Sequence, residues 1–384
     1  MTVDLSPIAC FTLVSVLMWL GLLLLPWRPW STREQISADD NAANIDLSEV
    51  TVLIPARDEA SCIEQTLTAL HKQGEFAQIV LIDDQSADAT KRVSESIAKR
   101  LNLHSLTIID GTDPPTGWSG KLWALNQGLE KVSSRYVLLL DADIALTDGM
   151  AATLLDKLIH DELDSISVMA TLYMGSWAEK LLLPPFIYYF KIIYPFNLVN
   201  REHSKMAAAA GGCVLMKTEK LREIGGFTAL SSAIIDDCTL ARKVKDSGGR
   251  IWLGLSRDVN AIRPYNSLQN IWNMVARTAF TQLYYSVGWL VVCTALMVLG
   301  YFAPLVALLA GDFYAQLFGA LALALICLSF LPTIRFYNLP IAWVLTLPLA
   351  GALFLAMTWT SAYRYFRGER SRWKNRSYAR ETDG

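Results

Sequence analysis

Apolar and polar positions divide the chain into an anchor-like start, an alternating middle and an apolar end. Ile8 to Leu25 runs without a charge, and its length suits a bilayer span. Farther on, Val50–Pro55, Ile79–Ile82, Leu106–Ile109 and Tyr136–Leu140 are short apolar runs with the signature of buried strands. Between them, Glu59 to about Gly74, Ala87–Leu101 and Leu122–Lys131 place apolar residues at helical spacing, the first through Ile63, Leu67 and Leu70. Strand alternating with helix predicts an α/β domain with a mostly parallel central sheet covered on both faces. In such sheets the loops at the carboxyl ends of the strands build the site. After about Tyr284 the chain turns apolar again, with candidate spans at 287–310, 314–331 and 340–359. Leu181–Val199 is apolar and aromatic but carries Lys191 and is interrupted by Pro184, Pro185 and Pro195. That pattern predicts an interfacial helix or a lipid-facing wall rather than a span.

The expected organisation is an N-terminal anchor over 1–30, a linker over 31–48, the α/β domain over 49–285, membrane segments over 286–360 and a basic tail over 361–384. No small-x-small cleavage site follows the first apolar run, so it reads as an uncleaved anchor. Asp4 is the only charge before that run, and Arg28 and Arg33 follow it. The positive-inside rule therefore puts the N-terminus outside and the α/β domain in the cytoplasm. The tail carries Arg364, Arg367, Arg370, Arg372, Lys374, Arg376 and Arg380, which also reads as cytoplasmic. Three C-terminal spans would place that tail outside. The last segment, with Pro348 and Gly351, is therefore expected to be re-entrant or interfacial.

The formal net charge of −2 gives no footing for bulk nucleic-acid binding. Six cysteines without a CxxC pair argue against a disulfide framework or a zinc site, and fit a reducing compartment.

Several polar clusters sit where strands end. Leu138–Leu140 runs into Asp141-Ala142-Asp143. Two carboxylates on one side of a strand end repel unless a positive charge sits between them, and Mg²⁺ or Mn²⁺ meets that need while gripping a diphosphate, the alternative for so common a motif being a polar strand end in solvent. Ile82 runs into Asp83 and Asp84, which are placed to hydrogen-bond a base or ribose, while Ser86 and Asp88 suit capping of the next helix. Pro55, Arg57 and Glu59 follow the first strand, placed to contact a nucleotide or to open the following helix. Lys121, after Gly117 and Gly120, can approach a phosphate, although the P-loop spacing is missing. Gly211-Gly212-Cys213 allows close backbone approach or makes a tight turn. Asp236 and Asp237 precede a helical pattern. Adjacent carboxylates raise one pKa, which suits a general base, and acidic residues also suit a helix start.

Taken in order, Ile54–Glu59, Ile82–Thr90, Gly120-Lys121 with Asn126, Asp141–Asp143, the Gly211–Cys213 loop, Gly225-Gly226-Phe227 and Asp236-Asp237 resemble the family 2 glycosyltransferases of GT-A fold. The likeness covers roughly residues 48–285 and is greatest to the hopene-associated members. It implies that Arg57, Asp84 and Asp83 line a nucleotide pocket with Pro55, Glu59 and Ala142 around it, and that Lys121 lies near the diphosphate. It further implies that Asp141 and Asp143 bind the metal, Gly211, Gly212 and Cys213 face the acceptor, and Asp237 is the base with Asp236 beside it. The final-span motif of processive members is reduced to Arg277, which would pair with the diphosphate. The implied reaction is an inverting transfer of one sugar from a nucleotide-sugar, UDP-linked by family habit, to a membrane lipid acceptor such as a hopanoid. The implied setting is the bacterial inner membrane. A processive polysaccharide synthase and a non-catalytic membrane binding module are the alternatives.

Overall fold

The computed structural model describes residues 5–39, 45–231, 233, 235–373 and 376–379. Asp4, Ile234, Lys374 and Arg380 lie outside the described residues. The chain forms two compact units, Glu34–Tyr173 with Leu198–Pro264, and Met1–Arg33 with Met174–Asn197 and Tyr265–Gly384.

The first of these is the α/β unit. Its strands are β1 (Val50–Ala56), β2 (Gln78–Asp83), β3 (Leu106–Asp110), β4 (Tyr136–Leu140), β5 (Ile144–Leu146), β6 (Ser165–Thr171), β7 (Cys213–Lys217) and β8 (Ile251–Ala261). They form one sheet in the order β3-β2-β1-β4-β7-β6-β8-β5. Four neighbouring pairs are parallel and three antiparallel, so the sheet is mixed. β1 and β4 are buried along their whole lengths, which is why they appear in the sequence as unbroken apolar runs. Helices follow at Ile63–His71, Thr90–Leu101 and Gly120–Leu129, each within a few residues of its expected place.

The connection from β1 goes to one side of that strand, and β4 lies on the other. Strand order thus reverses between β1 and β4, where an open α/β sheet leaves a crevice at its carboxyl edge. β7 runs antiparallel to β4, with Cys213 opposite Leu140. The start of β7 is thereby delivered to the edge where β4 ends.

The other unit is helical. Pro7–Leu24, Val287–Ala310, Phe313–Phe336 and Ile341–Phe366 are long and apolar enough to cross a membrane. The last is a 26-residue helical stretch, long enough to cross a membrane by length and composition. Its first turn is 3₁₀, over Ile341–Thr346, and Pro348 is accommodated near the start of the α-helix that follows. Beyond it, Glu369–Trp373 pairs antiparallel with Arg376–Ala379.

The aromatic segment corrects the expectation of a lipid-facing wall. Trp177–Ile193 is a helix with Pro184 and Pro185 inside it, opened by a Ser176–Glu179 capping box. Tyr188 is fully buried, and its hydroxyl meets Ser329 Oγ at 2.8 Å. Tyr189 donates to Tyr301 at 3.0 Å. Lys191 is also buried, with Nζ 3.5 Å from Thr333 Oγ1. This helix is therefore a packed member of the unit rather than a lipid-facing wall, because its hydroxyls and amine find partners on neighbouring helices.

The apolar helical stretch Val287–Ala310 contains a π-helical turn over Val298–Phe302. Such a turn disturbs the regular i to i−4 ladder and needs outside partners. Trp19 Nε1 donates to the Gly300 carbonyl at 2.9 Å, and the Trp19 ring meets Tyr301 edge-on at 5.2 Å. Trp19→Phe should lower stability by about 1 kcal/mol, the scale of interhelical hydrogen bonds in membranes. Thermal unfolding in detergent reads the loss.

Candidate active site

The crevice between β1 and β4 is lined by Pro55, Lys121, Asp141, Gly211, Asp236 and Asp237, with Leu122, Leu140, Phe227 and Leu240 as its apolar walls. The sheet edge brings together carboxylates and glycines that lie far apart in sequence.

On the β1–β2 side, the loops after the two strands are laced to each other. Asp58 N donates to Ser86 Oγ at 3.0 Å, and Ala87 N donates back to Asp58 Oδ1 at 2.8 Å. Ala60 N reaches Asp88 Oδ2 at 3.1 Å, and Thr90 N reaches Asp88 Oδ1 at 2.9 Å. Asp88 therefore serves the start of the Thr90–Leu101 helix as expected, whereas Ser86 ties down the β1 loop instead.

Within that frame, Arg57 Nη1 donates to the Asp84 carbonyl at 2.6 Å and lies 3.6 Å from its carboxylate. Asp84 is 1% exposed. Arg57 Nε is buried with no hydrogen-bond partner among the described residues, a donor in want of an acceptor. Asp83 is buried, and its Oδ1 accepts from Ser86 N at 3.2 Å. Gly111 closes this corner. Its N donates to the Asp83 carbonyl at 2.8 Å, and a Cβ there would come 2.9 Å from that oxygen.

Asp141 and Asp143 lie in a turn between β4 and β5, closed by Ile144 N donating to the Asp141 carbonyl at 3.1 Å. They do not alternate along a strand, so the expectation that strand geometry aligns them is corrected. Their charges are balanced within the protein. Lys121 Nζ stands 2.6 Å from Asp141 Oδ1, and Arg263 Nε stands 3.0 Å from Asp143 Oδ2. Mutual repulsion therefore does not by itself call for a metal. The donor set still fits one. Mg²⁺ is commonly held by one or two carboxylates with phosphate and water oxygens in its other positions. Among the described residues no group of three acidic, His or Cys side chains gathers to cage an ion. Ala142 is buried, and its carbonyl accepts from Thr66 Oγ1 at 2.8 Å.

Asp236 and Asp237 open the helix Asp236–Asp246. Asp237 Oδ2 accepts from Gly211 N at 2.9 Å, and Oδ1 accepts from Cys238 N at 2.7 Å. Burial first, and then the neighbouring Asp236 charge, push the Asp237 carboxyl up to about 6, against the pull of those two N–H groups and Lys121. Burial disfavours the Lys121 ammonium, but Asp141, Asp236 and Asp237 outweigh it and raise its pKa. One lysine thus serves both carboxylate groups.

Gly211 is required by this contact, since a Cβ there would meet Asp237 Cβ and Oδ2, each at 3.2 Å. Gly211→Ala is expected to displace the carboxylate by a few tenths of an ångström and lower turnover about tenfold, because misplacement of a reacting group is costly. Steady-state kinetics with an unchanged unfolding temperature would check this. Gly212 accepts at its carbonyl from Asp141 N at 3.0 Å, joining the β7 start to the β4 end.

Three further expected site residues, Cys213, Glu59 and Arg277, have these surroundings. Cys213 has no accessible surface, and burial with the nearby Asp141 charge pushes its thiol up to about 12. It is a packed residue at the start of β7. Glu59 is ion-paired with Arg263 and 7% exposed. Arg277 belongs to the helical unit, on the helix Leu268–Gln282.

Arg263 itself carried no motif in the sequence. Antiparallel pairing of β5 with β8 sets Ile144 opposite Ala261, and Ile262 N donates to the Asp143 carbonyl at 2.8 Å. That register brings Arg263 to Asp143. The only sequence signal was a basic residue just after an alternating run, visible once β8 is recognised.

Residues 51–225 match the family model described as glycosyl transferase family 2. That stretch of the chain is similar to the glycosyl transferase family 2 domain. Asp141, Asp143 and Gly211 fall within the matched stretch, and Asp237 and Arg263 lie beyond it. The chain is 26% identical over 211 residues to the probable glycosyltransferase YdaM of Bacillus subtilis, covering 54% of this chain and 49% of that protein. It is 28% identical over 116 residues to a 4,4'-diaponeurosporenoate glycosyltransferase of Staphylococcus aureus, covering 30% of this chain and 28% of that one. The chain thus spans about half the length of one curated relative and under a third of the other. Among solved structures, the mannosyltransferase PcManGT of Pyrobaculum calidifontis, in complex with GDP-Man and Mn²⁺, superposes with a TM-score of 0.58 at 18% identity. The match covers 90% of this chain and 99% of that one, and it establishes the fold. The α/β unit is a GT-A-like mixed sheet with helices.

Proposed function

We propose that the protein is an inverting glycosyltransferase that moves one sugar from a nucleotide-sugar to a membrane lipid. The observation that carries the reading is Asp237. It is a half-buried carboxylate with a raised pKa, held by two N–H groups beside the crevice that ends at Asp141 and Lys121. A general base works best with a pKa near the working pH. Asp237 takes the proton of an acceptor hydroxyl as that oxygen attacks the anomeric carbon, and the bond to the nucleoside diphosphate breaks on the opposite side.

Arg57, with its unmatched Nε, and buried Asp84 bind the nucleoside, with Asp83 and Pro55 beside them. Lys121 orients the diphosphate and balances Asp141. Asp141 and Asp143 would hold a divalent cation, which when bound supplies charge stabilisation to the leaving diphosphate. Gly211 and Gly212 border the acceptor. Asp236 keeps the Asp237 pKa high.

A lipid acceptor is supported by the four apolar helices. A hopanoid is the acceptor class that the sequence resemblance suggests. Arg28 and Arg33, just after the first span, support a cytoplasmic α/β unit and an inner-membrane location.

The test is incubation of the purified protein with bacterial lipid extract, Mn²⁺ and a panel of labelled nucleotide-sugars. Label entering the organic phase with one donor supports the proposal and names that donor. Label in a long aqueous polymer, or no transfer from any donor by folded protein, overturns it.

A further inference from the structure

We infer that Arg263 is a positioning residue that keeps the Asp143 carboxylate neutralised in the donor-free protein, so that the divalent cation enters together with the donor diphosphate. The inference rests on the proposed metal role of Asp143.

Arg263 divides its guanidinium between two carboxylates. Nη2 pairs with Glu59 and Nε stands 3.0 Å from Asp143 Oδ2. Glu59 is fixed independently. Its N donates to Thr90 Oγ1 at 2.8 Å, and its carbonyl accepts from Cys62 N and Ile63 N at 2.9 and 3.0 Å to open the Ile63–His71 helix. The backbone on the other side is fixed as well, by the Ile262 N bond to the Asp143 carbonyl. The guanidinium is thus held from both directions, and a planar fork suits such two-sided pairing better than an ammonium.

The electrostatic consequence has a sign. An incoming cation meets Asp141 already paired with Lys121 and Asp143 already paired with Arg263. Two fixed cations next to the only acidic pair of this turn weaken its pull on a bare ion. A diphosphate brings negative charge that answers both Lys121 and Arg263 and offers the cation further oxygens. Cation and diphosphate should therefore bind with strong mutual dependence. Glu59 moderates the effect, since its charge cancels part of that on Arg263.

The test is a Mn²⁺ titration followed by electron paramagnetic resonance on the full chain in detergent, with Mn²⁺ alone and with UDP or GDP added. The unmutated protein should bind Mn²⁺ weakly alone and more tightly with one of the nucleotides. Arg263→Gln should tighten binding of Mn²⁺ alone at least about fivefold. Glu59→Gln, which keeps the contact but removes the compensating charge, should weaken it. A purely structural role would move both variants the same way, because both disrupt one ion pair. Equal shifts, or no shift in Arg263→Gln, overturn the inference. If Arg263→Gln is recovered unfolded, the double variant Glu59→Gln with Arg263→Gln removes the ion pair without stranding a buried charge and should also tighten binding of Mn²⁺ alone, and no change there overturns the inference equally.

Failure of the proposed metal role looks different. In that case the unmutated protein binds no Mn²⁺ with either nucleotide, or Asp143→Asn binds it as well as the unmutated protein does, and the inference falls with it.

Discussion

Asp237→Asn is expected to lower transfer by about 10²–10⁴-fold, the usual contribution of a general base, while the protein remains folded. Asn keeps the shape and one acceptor for the Gly211 and Cys238 N–H groups, but it cannot take a proton. The pH dependence carries a second signature. Asp237 must be ionised to act, and burial with Asp236 pushes its carboxyl up to about 6 from 3.8. Transfer should therefore fall as the pH drops through about 6. The stability contribution runs the other way. The folded state holds this proton more tightly than the unfolded chain, so the contribution of Asp237 to stability declines as the pH rises between those values. An activity loss on acidification without a matching loss of fold separates the titration of a base from acid unfolding. A pH profile flat down to pH 5 would remove Asp237 from the role.

Lys121→Met should have the next largest effect, a loss of about 10²–10³-fold, as expected for a preorganised charge facing a developing anion. The same change removes a cation that lowers the Asp237 pKa, so the acid limb of the pH profile should move above 6. These two outcomes belong together. Loss of rate with an unmoved limb would mean that Lys121 acts on the diphosphate alone. A moved limb with little loss of rate would restrict it to tuning Asp237. Circular dichroism on the purified variant checks that the buried methionine is tolerated.

The first four strands were legible because a parallel strand covered on both faces must be apolar throughout, as Val50–Ala56 and Tyr136–Leu140 are. The four bilayer-length helices were legible for a similar reason, since a span needs length and freedom from charge. β6 and β8 were not legible. Ser165–Thr171 and Ile251–Ala261 mix serines, a glycine and charged residues into their runs, and their pairing joins segments more than eighty residues apart. β7 was hidden behind its own glycines, which drew attention to the turn and away from the buried strand that follows.

The site shows the same division. Asp84, Asp141 and Asp237 stand at strand and helix ends, where local pattern exposes them, and the fold gathers Lys121, Asp141, Asp236 and Asp237 at one crevice. The electrostatic balance was invisible from the sequence. Lys121 and Arg263 reach Asp141 and Asp143 only through tertiary packing, so repulsion between the two carboxylates was an unsafe argument for a metal. Tyr188 and Tyr189 misled in the same way. An aromatic, proline-broken segment reads as lipid-facing until Ser329 and Tyr301, more than a hundred residues away, prove to be its partners.

The most direct test of the account is the stereochemistry and stoichiometry of the lipid product, read by NMR and mass spectrometry after turnover with a single nucleotide-sugar donor. Direct displacement by an acceptor that Asp237 deprotonates predicts one sugar per lipid, with the anomeric configuration inverted relative to the donor. A retained configuration, or a ladder of added sugars, would contradict it.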